Sequence, residues 1–454
     1  MEALNILEET IYDNSIQNYE FYDYTPQSQN NLNIRTPIVI DINANDTYIQ
    51  PSKSYLIIKG QLVRADNDAA YDANDQITLV NNGMMYLFSN IRYTIAGVDM
   101  EIITDCGQIT SIVGYLSQPD DYSTSAGLKS CWCKDTTNNA SSVEFTRSPG
   151  VAAYAAITVG QFTPARNVNY NEGFSTRKSL LMSANPRGSF SFVIPFGHIF
   201  GFAEYEKVIY GVKHSLSLTR NVSDNLCIHK ANGVADGKIK LSNITWRVPH
   251  IQPETVKLME LRNVIEKKQI IPVSFRARIS ESITVPEGGR QFDWRLSVTS
   301  GIERPRFIIV GFQTDKDTSQ EQNPAVFDHV NLTKASVTLN SQRYPLNDIV
   351  TDFNMNDYSV LYEMFDSFKK EYYGFNSLVG GTQVSYLSFK KLFPIIVFDV
   401  RHQSERLKSG VIDMMLRFNF SAGIPANTRA YALIISDREY RFSSDGKNLT
   451  MISS

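Results

Sequence analysis

"RPRFIIVGFQTDK", residues 304–316, is the run whose ownership decides the fold. Five of the six residues Phe307–Phe312 are apolar, Gly311 is the sixth, and charged or turn residues bound them on both sides. That is the pattern of a buried strand. In an α/β sheet, the polar residues after it would mark a ligand site at the strand's carboxyl end. In an all-β sandwich the same run is a core strand and its polar tail is a loop. The segments on either side settle which sheet owns it.

Strand-like runs recur along the chain with only turns between many of them. The first group is 36–42, 54–64, 76–80 and 83–103, punctuated by Asn43-Ala44-Asn45-Asp46, Ala65-Asp66-Asn67-Asp68, Asn81-Asn82-Gly83 and Ala96-Gly97. After a loop-rich middle come 188–196, 207–220 and 237–248, the last alternating at Ile239, Leu241, Ile244 and Trp246 with a slip at Ser242-Asn243 that reads as a bulge. Beyond residue 270 lie 272–285, 290–300, 306–314, 335–345, 392–400, 410–422 and 429–442. Two stretches carry helical spacing. One is 254–268, with Val256, Met259, Leu261, Val264 and Ile265 behind Pro253; the other is 357–375, with Leu361, Met364, Phe365 and Phe368. A parallel sheet needs a crossover of a dozen residues or more between most strands. Two helices are too few, so the fold class is all-β.

Two strand-rich blocks of roughly two hundred residues, about the size of ordinary domains, flank the helix at 254–268. Eight strands per block with long excursions between some of them suit two tandem antiparallel jelly rolls, a double jelly roll with short connecting helices and long loop insertions. The expected division is an acidic, aromatic arm over 1–34, a first jelly roll over 35–253, a helical connector over 254–270 and a second jelly roll over 271–454. The arm has six acids, no Lys or Arg before Arg35, and the cluster Tyr19, Phe21, Tyr22 and Tyr24 without a clear period. It reads either as a partly disordered leader or as an arm that orders only against a neighbouring subunit.

The composition, 42% hydrophobic and 20% charged, is that of a folded protein, and the net charge of −3 gives no general attraction to phosphate backbones. The opening residues show no positive region followed by an apolar run, so no secretory signal is expected. Four cysteines are too few for a disulfide framework at this length. "CWC" at 131–133 puts two thiols on one extended segment, short of the four ligands of a structural zinc site. The six histidines make no ligand spacing, and there is no Gly-x4-Gly-Lys-Ser/Thr, Gly-x-Gly-x-x-Gly or Gly-x-Ser-x-Gly motif. The polar cluster at 401–410 reads as a solvated loop. No catalytic residue, cofactor or metal is expected.

Several segments resemble the major capsid proteins of Polinton/Maverick elements and the related adintoviruses. They are "YGVKHSLSLTRN" (210–221), "RFIIVGFQTDK" followed by "NPAVFDHVNL" (323–332), and the run 392–446 that begins "LFPIIVFDVRHQSERLKSG". "NNGMMYLFSNIRYTIAGVDME" (81–101) and "PDDYSTSAGLKSCWCKDT" (119–136) are similar too. The resemblance runs from about residue 36 onward and leaves out 1–34, about 137–175 and about 350–390. It implies a structural, non-enzymatic double jelly-roll protein. Three copies would make a pseudo-hexagonal capsomer that tiles an icosahedral shell around double-stranded DNA, held without sequence-specific contact. Its partners would be itself as a homotrimer, neighbouring capsomers, and penton and minor capsid proteins. Its place would be the virion, after synthesis in the host cytoplasm and assembly there or in the nucleus.

On that reading the subunit interface falls on aromatics of the arm and of the long loops: Tyr19, Phe21, Tyr22, Tyr24, Tyr154, Phe162, Tyr170, Phe174, Tyr372 and Tyr373. The loops 151–174 and 350–390 are expected to interlock around a threefold axis, and deletion of 1–34 is expected to spare trimers and impair shells. The alternative on the same fold is a carbohydrate-binding, lectin-like jelly roll. Such a site gathers a few exposed rings beside polar groups, whereas the aromatics here are spread along the chain.

Overall fold

The computed structural model describes residues 15–28, 32–43, 47–146, 165–297, 304–340, 342–374, 382–402, 412–444 and 449–453. Sixteen strands build two sandwiches. The first holds β1 (Ile16–Tyr24), β2 (Ile38–Asn43), β3 (Tyr55–Arg64), β4 (Phe88–Ile95), β5 (Val98–Thr104), β6 (Ser189–Pro195), β7 (Lys213–Arg220) and β8 (Gly237–Pro253). The second holds β9 (Ile271–Thr284), β10 (Gln291–Leu296), β11 (Arg304–Thr314), β12 (Leu332–Leu339), β13 (Gln342–Val350), β14 (Ile396–Asp399), β15 (Met414–Phe420) and β16 (Thr428–Ser444). Leu449–Ser453 adds a further strand beside β16, and two- or three-residue strands and short helical turns fill the connections.

In the first sandwich one sheet runs β1-β8-β3-β6 and the other β2-β7-β4-β5. In the second they run β9-β16-β11-β14 and β10-β15-β12-β13. All these pairings are antiparallel, and advancing every index by eight turns the first arrangement into the second. This is the jelly-roll order twice over. The opening stretch is β11, whose residues Phe307–Phe312 are buried between β16 and the partner sheet. Residues 237–248 form part of β8, and its register against β3 shifts between Leu241 and Asn243, the bulge read from the broken alternation.

Several local expectations change. Residues 16–24 do not wait for a neighbour: they pair with β8 over Ile16↔Pro253 to Tyr24↔Trp246 and are the first strand of the first jelly roll. Residues 1–14 lie outside the described residues. Residues 335–345 are two strands rather than one, turning at Asn340 with φ 52. Residues 83–86 are helical rather than extended.

Helices also exceed the two expected. α1 (Cys106–Ser117) and α2 (Glu172–Met182) precede α3 (Thr255–Glu266), α4 (Ser359–Tyr373) and α5 (Tyr386–Leu392). α1 is buried along almost its whole length, so it has no polar face to reveal a helical period. Two of its glycines make that burial possible. A Cβ on Gly107 would stand 2.2 Å from the Tyr86 ring, and one on Gly114 would stand 2.1 Å from Trp132. α4 and α5 occupy the 350–390 insertion. α4 turns Leu361, Phe365, Phe368 and Tyr372 into the core, with Phe368 edge-on to Phe307 of β11. That part of the insertion is packed on its own sandwich, not held out as a loop.

Candidate assembly interfaces

The sandwiches stand side by side, with the edge strand β5 of the first against the edge strand β9 of the second. Neither strand is paired with the other in a backbone ladder. Side chains close the gap instead. The Glu101 Oε1 atom accepts from the Arg278 N–H at 2.7 Å and the Gly201 N–H at 3.1 Å, and Oε2 accepts from the Phe202 N–H at 2.6 Å. Thr104 N–H donates to the Ser280 hydroxyl at 2.8 Å. From the second sandwich Arg278 also donates to the carbonyls of His198 and Gly197, Arg438 to that of Met100, and the Tyr440 hydroxyl to that of Asp99. Gly201 is required here, because a Cβ would lie 1.9 Å from the Arg276 carbonyl oxygen.

Burial pushes the Glu101 carboxyl up to about 7, against its three N–H donors, which favour the ionised form. Glu101→Gln keeps the shape and one acceptor oxygen but sets an amide N–H₂ against a backbone N–H. We expect a loss of about 2 kcal/mol, the desolvation cost of a buried donor left without a partner. Denaturant titration of the variant beside the parent measures it, and an unchanged midpoint would contradict the assignment.

Further ties cross between the sandwiches. Arg276 pairs with Glu204 at 2.7 Å and lies 3.9 Å over the Tyr372 ring, while the Tyr372 hydroxyl donates to Glu204. The hydroxyls of Tyr86 and Tyr115 donate to the carbonyls of Pro324 and Ala325. Trp132 Nε1–H donates to Gln383 Oε1, and Gln383 in turn donates to the Gly114 carbonyl. A buried ion pair, Arg177 to Asp135 at 2.6 Å, takes a further bond from Asn323 at 2.9 Å.

The aromatics expected at a subunit interface divide into groups. Tyr19, Phe21 and Tyr22 on β1 are exposed, at 41%, 38% and 49%, beside Ile16 at 46%. Tyr24 is half-buried, its hydroxyl 2.8 Å from His250 Nε2. Tyr170 is half-buried under Arg166, and Tyr373 is partly exposed, its ring in an edge contact with that of Tyr372. Phe174 is fully buried inside α2 and meets the His229 ring edge-on, and Tyr372 is buried in the inter-sandwich contact just described. Those two rings serve the interior of their own chain. Tyr154 and Phe162 lie outside the described residues.

Sequence reading missed the groups that hold the halves together. Glu101 sits in a strand where an acid ordinarily marks the solvent face, and nothing local tells a seam from a surface. The four cysteines are buried and unbridged. Among the described residues no group of three His, Cys, Asp or Glu side chains could hold a metal ion, and no helix is long and apolar enough to cross a membrane.

Two eight-stranded antiparallel sandwiches in one chain, sharing a continuous core, define the double jelly-roll class of protein. The model of the double jelly roll-like domain family matches residues 137–439, and the chain belongs to that family. No curated protein matches it in sequence. Among solved structures it is similar to the Sputnik virophage structure, with a TM-score of 0.56 at 11% identity over 99% of this chain and 91% of that one. It is similar to the Faustovirus major capsid protein, with a TM-score of 0.56 at 10% identity over 100% and 94%. PBCV-1 Vp54, fitted into a reconstruction of Sputnik, matches at a TM-score of 0.50 and 10% identity over 99% and 100%.

Proposed function

We propose that this chain is the major capsid protein of an icosahedral double-stranded DNA virus. It is a structural protein, not an enzyme. The observation that carries the reading is the fusion of two like sandwiches into one chain, locked edge to edge by a buried polar seam. Three such chains offer six similar sectors, the near-hexagonal outline that tiles a shell under closed symmetry. A fold shared along nearly the whole length with the Sputnik virophage structure and the Faustovirus major capsid protein supports the same reading.

Within that class the resemblance of 81–101, 119–136, 210–221, 323–332 and 392–446 favours the Polinton/Maverick and adintovirus lineage. The partners are further copies of the chain, penton and minor capsid proteins, and packaged DNA contacted without sequence preference. The first jelly roll is taken from Ile16 rather than from 35, with 254–270 as connector and the second jelly roll from 271. Deleting 1–34 would remove β1, so the test of an assembly arm belongs to residues 1–14.

Sedimentation and negative-stain imaging of the purified protein test the function. Trimers that appear as hexagonal capsomers, or closed shells, are the expected result. A monomer over a wide concentration range would refute it.

A further inference from the structure

The connector helix α3 is thinly covered. Of its apolar side chains Ile265 is buried, Leu258, Leu261 and Val264 are half-buried, and Val256 and Met259 stand open at 64% and 61%. The start of β1 lies at the same place. Ile16, itself exposed, pairs with Pro253, and the Glu254 N–H at the head of α3 donates to the Ser15 carbonyl at 2.9 Å. A single exposed apolar side chain needs no explanation. Three of them gathered at one junction form a patch that asks for a cover. Residues 1–14 join the molecule there, at the first turn of α3.

We propose that residues 1–14 fold back along the open side of α3 in their own chain, with Leu4, Leu7 and Ile11 over Val256 and Met259. The contact lies within one chain, so it stands or falls separately from self-association. Sequence, charge and reach agree with it. Leu4, Leu7 and Ile11 stand three and four positions apart, the spacing that sets apolar side chains on one side of a helix. Val256 and Met259 are spaced the same way on α3. The segment carries Glu2, Glu8, Glu9 and Asp13 and no Lys or Arg. The stretch beside it carries Lys257, Arg262, Lys267 and Lys268 against Glu260 and Glu266, so an excess of acids meets an excess of cations. Fourteen helical residues would span about 21 Å, close to the roughly 18 Å of α3. Tethering at Ser15 keeps the segment beside this surface at an effective concentration near the millimolar range, so a weak contact is enough.

Amide hydrogen exchange of the full chain beside a chain lacking residues 1–14 tests the contact. The shorter chain keeps β1, and its α3 amides should exchange about 10-fold faster while those of β3 and β8 stay as in the parent. A second measurement uses the full chain with Ile11→Cys and Met259→Cys and a short bismaleimide. The four native cysteines are buried and out of its reach. A bridge within one chain is expected, with a yield that does not change on dilution. Adding Lys257→Glu and Arg262→Glu should cut that yield several-fold. The control pairs Ile11→Cys with Val222→Cys, since Val222 lies beside Lys238 at the far end of β8, and it should give no bridge within the chain. Bridges that form only between chains would assign the segment to a neighbouring copy and overturn the proposal. Unchanged exchange in α3, with bridging no higher than in the control, would overturn it as well.

Discussion

Taking the isolated protein from pH 7.5 to about pH 5 is expected to withdraw about 6 kcal/mol of stability through three buried histidines, of which about 2 kcal/mol is returned as the raised Glu101 carboxyl takes up its proton, a net loss of about 4 kcal/mol. Burial holds His198 and His214 down to about 3, and His229 down to about 4. The Arg278 guanidinium adds to the effect on His198, and Arg177 opposes Asp135 at His229. Geometry supplies the reason. His198 Nε2 meets Asn82 Oδ1 at 2.9 Å and His214 Nδ1 meets the Tyr93 hydroxyl at 2.8 Å. His229 Nδ1 meets the Gln322 carbonyl at 3.2 Å. Among the described residues the Nε2 atoms of His214 and His229 find no partner. A second proton would therefore put an unpaired, charged N–H into the core.

In the unfolded chain each imidazole takes up its proton near 6.5, so below that pH the unfolded state binds protons the folded state refuses. The contribution of these groups is complete above 6.5 and declines as pH falls toward 4 and 3. Each histidine loses about 1.4 kcal/mol per pH unit in that window, hence about 2 kcal/mol at pH 5. That is a large part of the 5–15 kcal/mol typical of a native protein. Urea titrations at the two pH values measure it, and His214→Gln should reduce the net change by about 2 kcal/mol, roughly half of it. Equal midpoints would show that the histidines are not neutral and enclosed.

Arg177→Met should destabilise by about 3–5 kcal/mol, the cost of breaking a buried ion pair from one side. Arg177 is 2% exposed and donates to the Leu79 carbonyl at 2.8 Å, to the Cys133 carbonyl and to Asp135. Its loss strands a carboxylate that keeps the Asn323 amide, and it removes a donor from two carbonyls. Because Asn323 belongs to the second sandwich, the damage reaches across the seam. Asp135→Asn in the same background should recover part of the loss by removing the uncompensated charge. A variant within 1 kcal/mol of the parent, on the scale of an exposed pair, would mean that water reaches the site.

Much of this architecture can be read from residue order alone. Alternation along 237–248 shows both the strand and its bulge, and "FIIVGF" shows a strand buried on both faces. The connector helix and α4 declare themselves by apolar residues at helical spacing. What fails to show has a physical reason in each case. α1 is enclosed on all sides and so lacks a stripe. β1 lies at a sheet edge with both faces open, so its aromatics follow no period. The seam depends on residues such as Glu101 and Arg278, about 180 positions apart, whose meeting depends on two finished sandwiches. Phe174 and Tyr372, expected at a subunit interface, lie in the interior of their own chain, because aromatic content cannot tell a core from a contact.

The manner in which β5 and β9 meet also bears on what this chain must avoid. A sheet edge with open amides invites any other extended strand to add itself, and such growth has no natural stop. Carboxylate, hydroxyl and guanidinium groups occupy those amides and carbonyls here, and on β13 Pro345 removes an amide outright. Recognition passes through particular side chains at particular heights, so a stray strand finds nothing to template on. The two halves of the chain therefore lock together in one geometry.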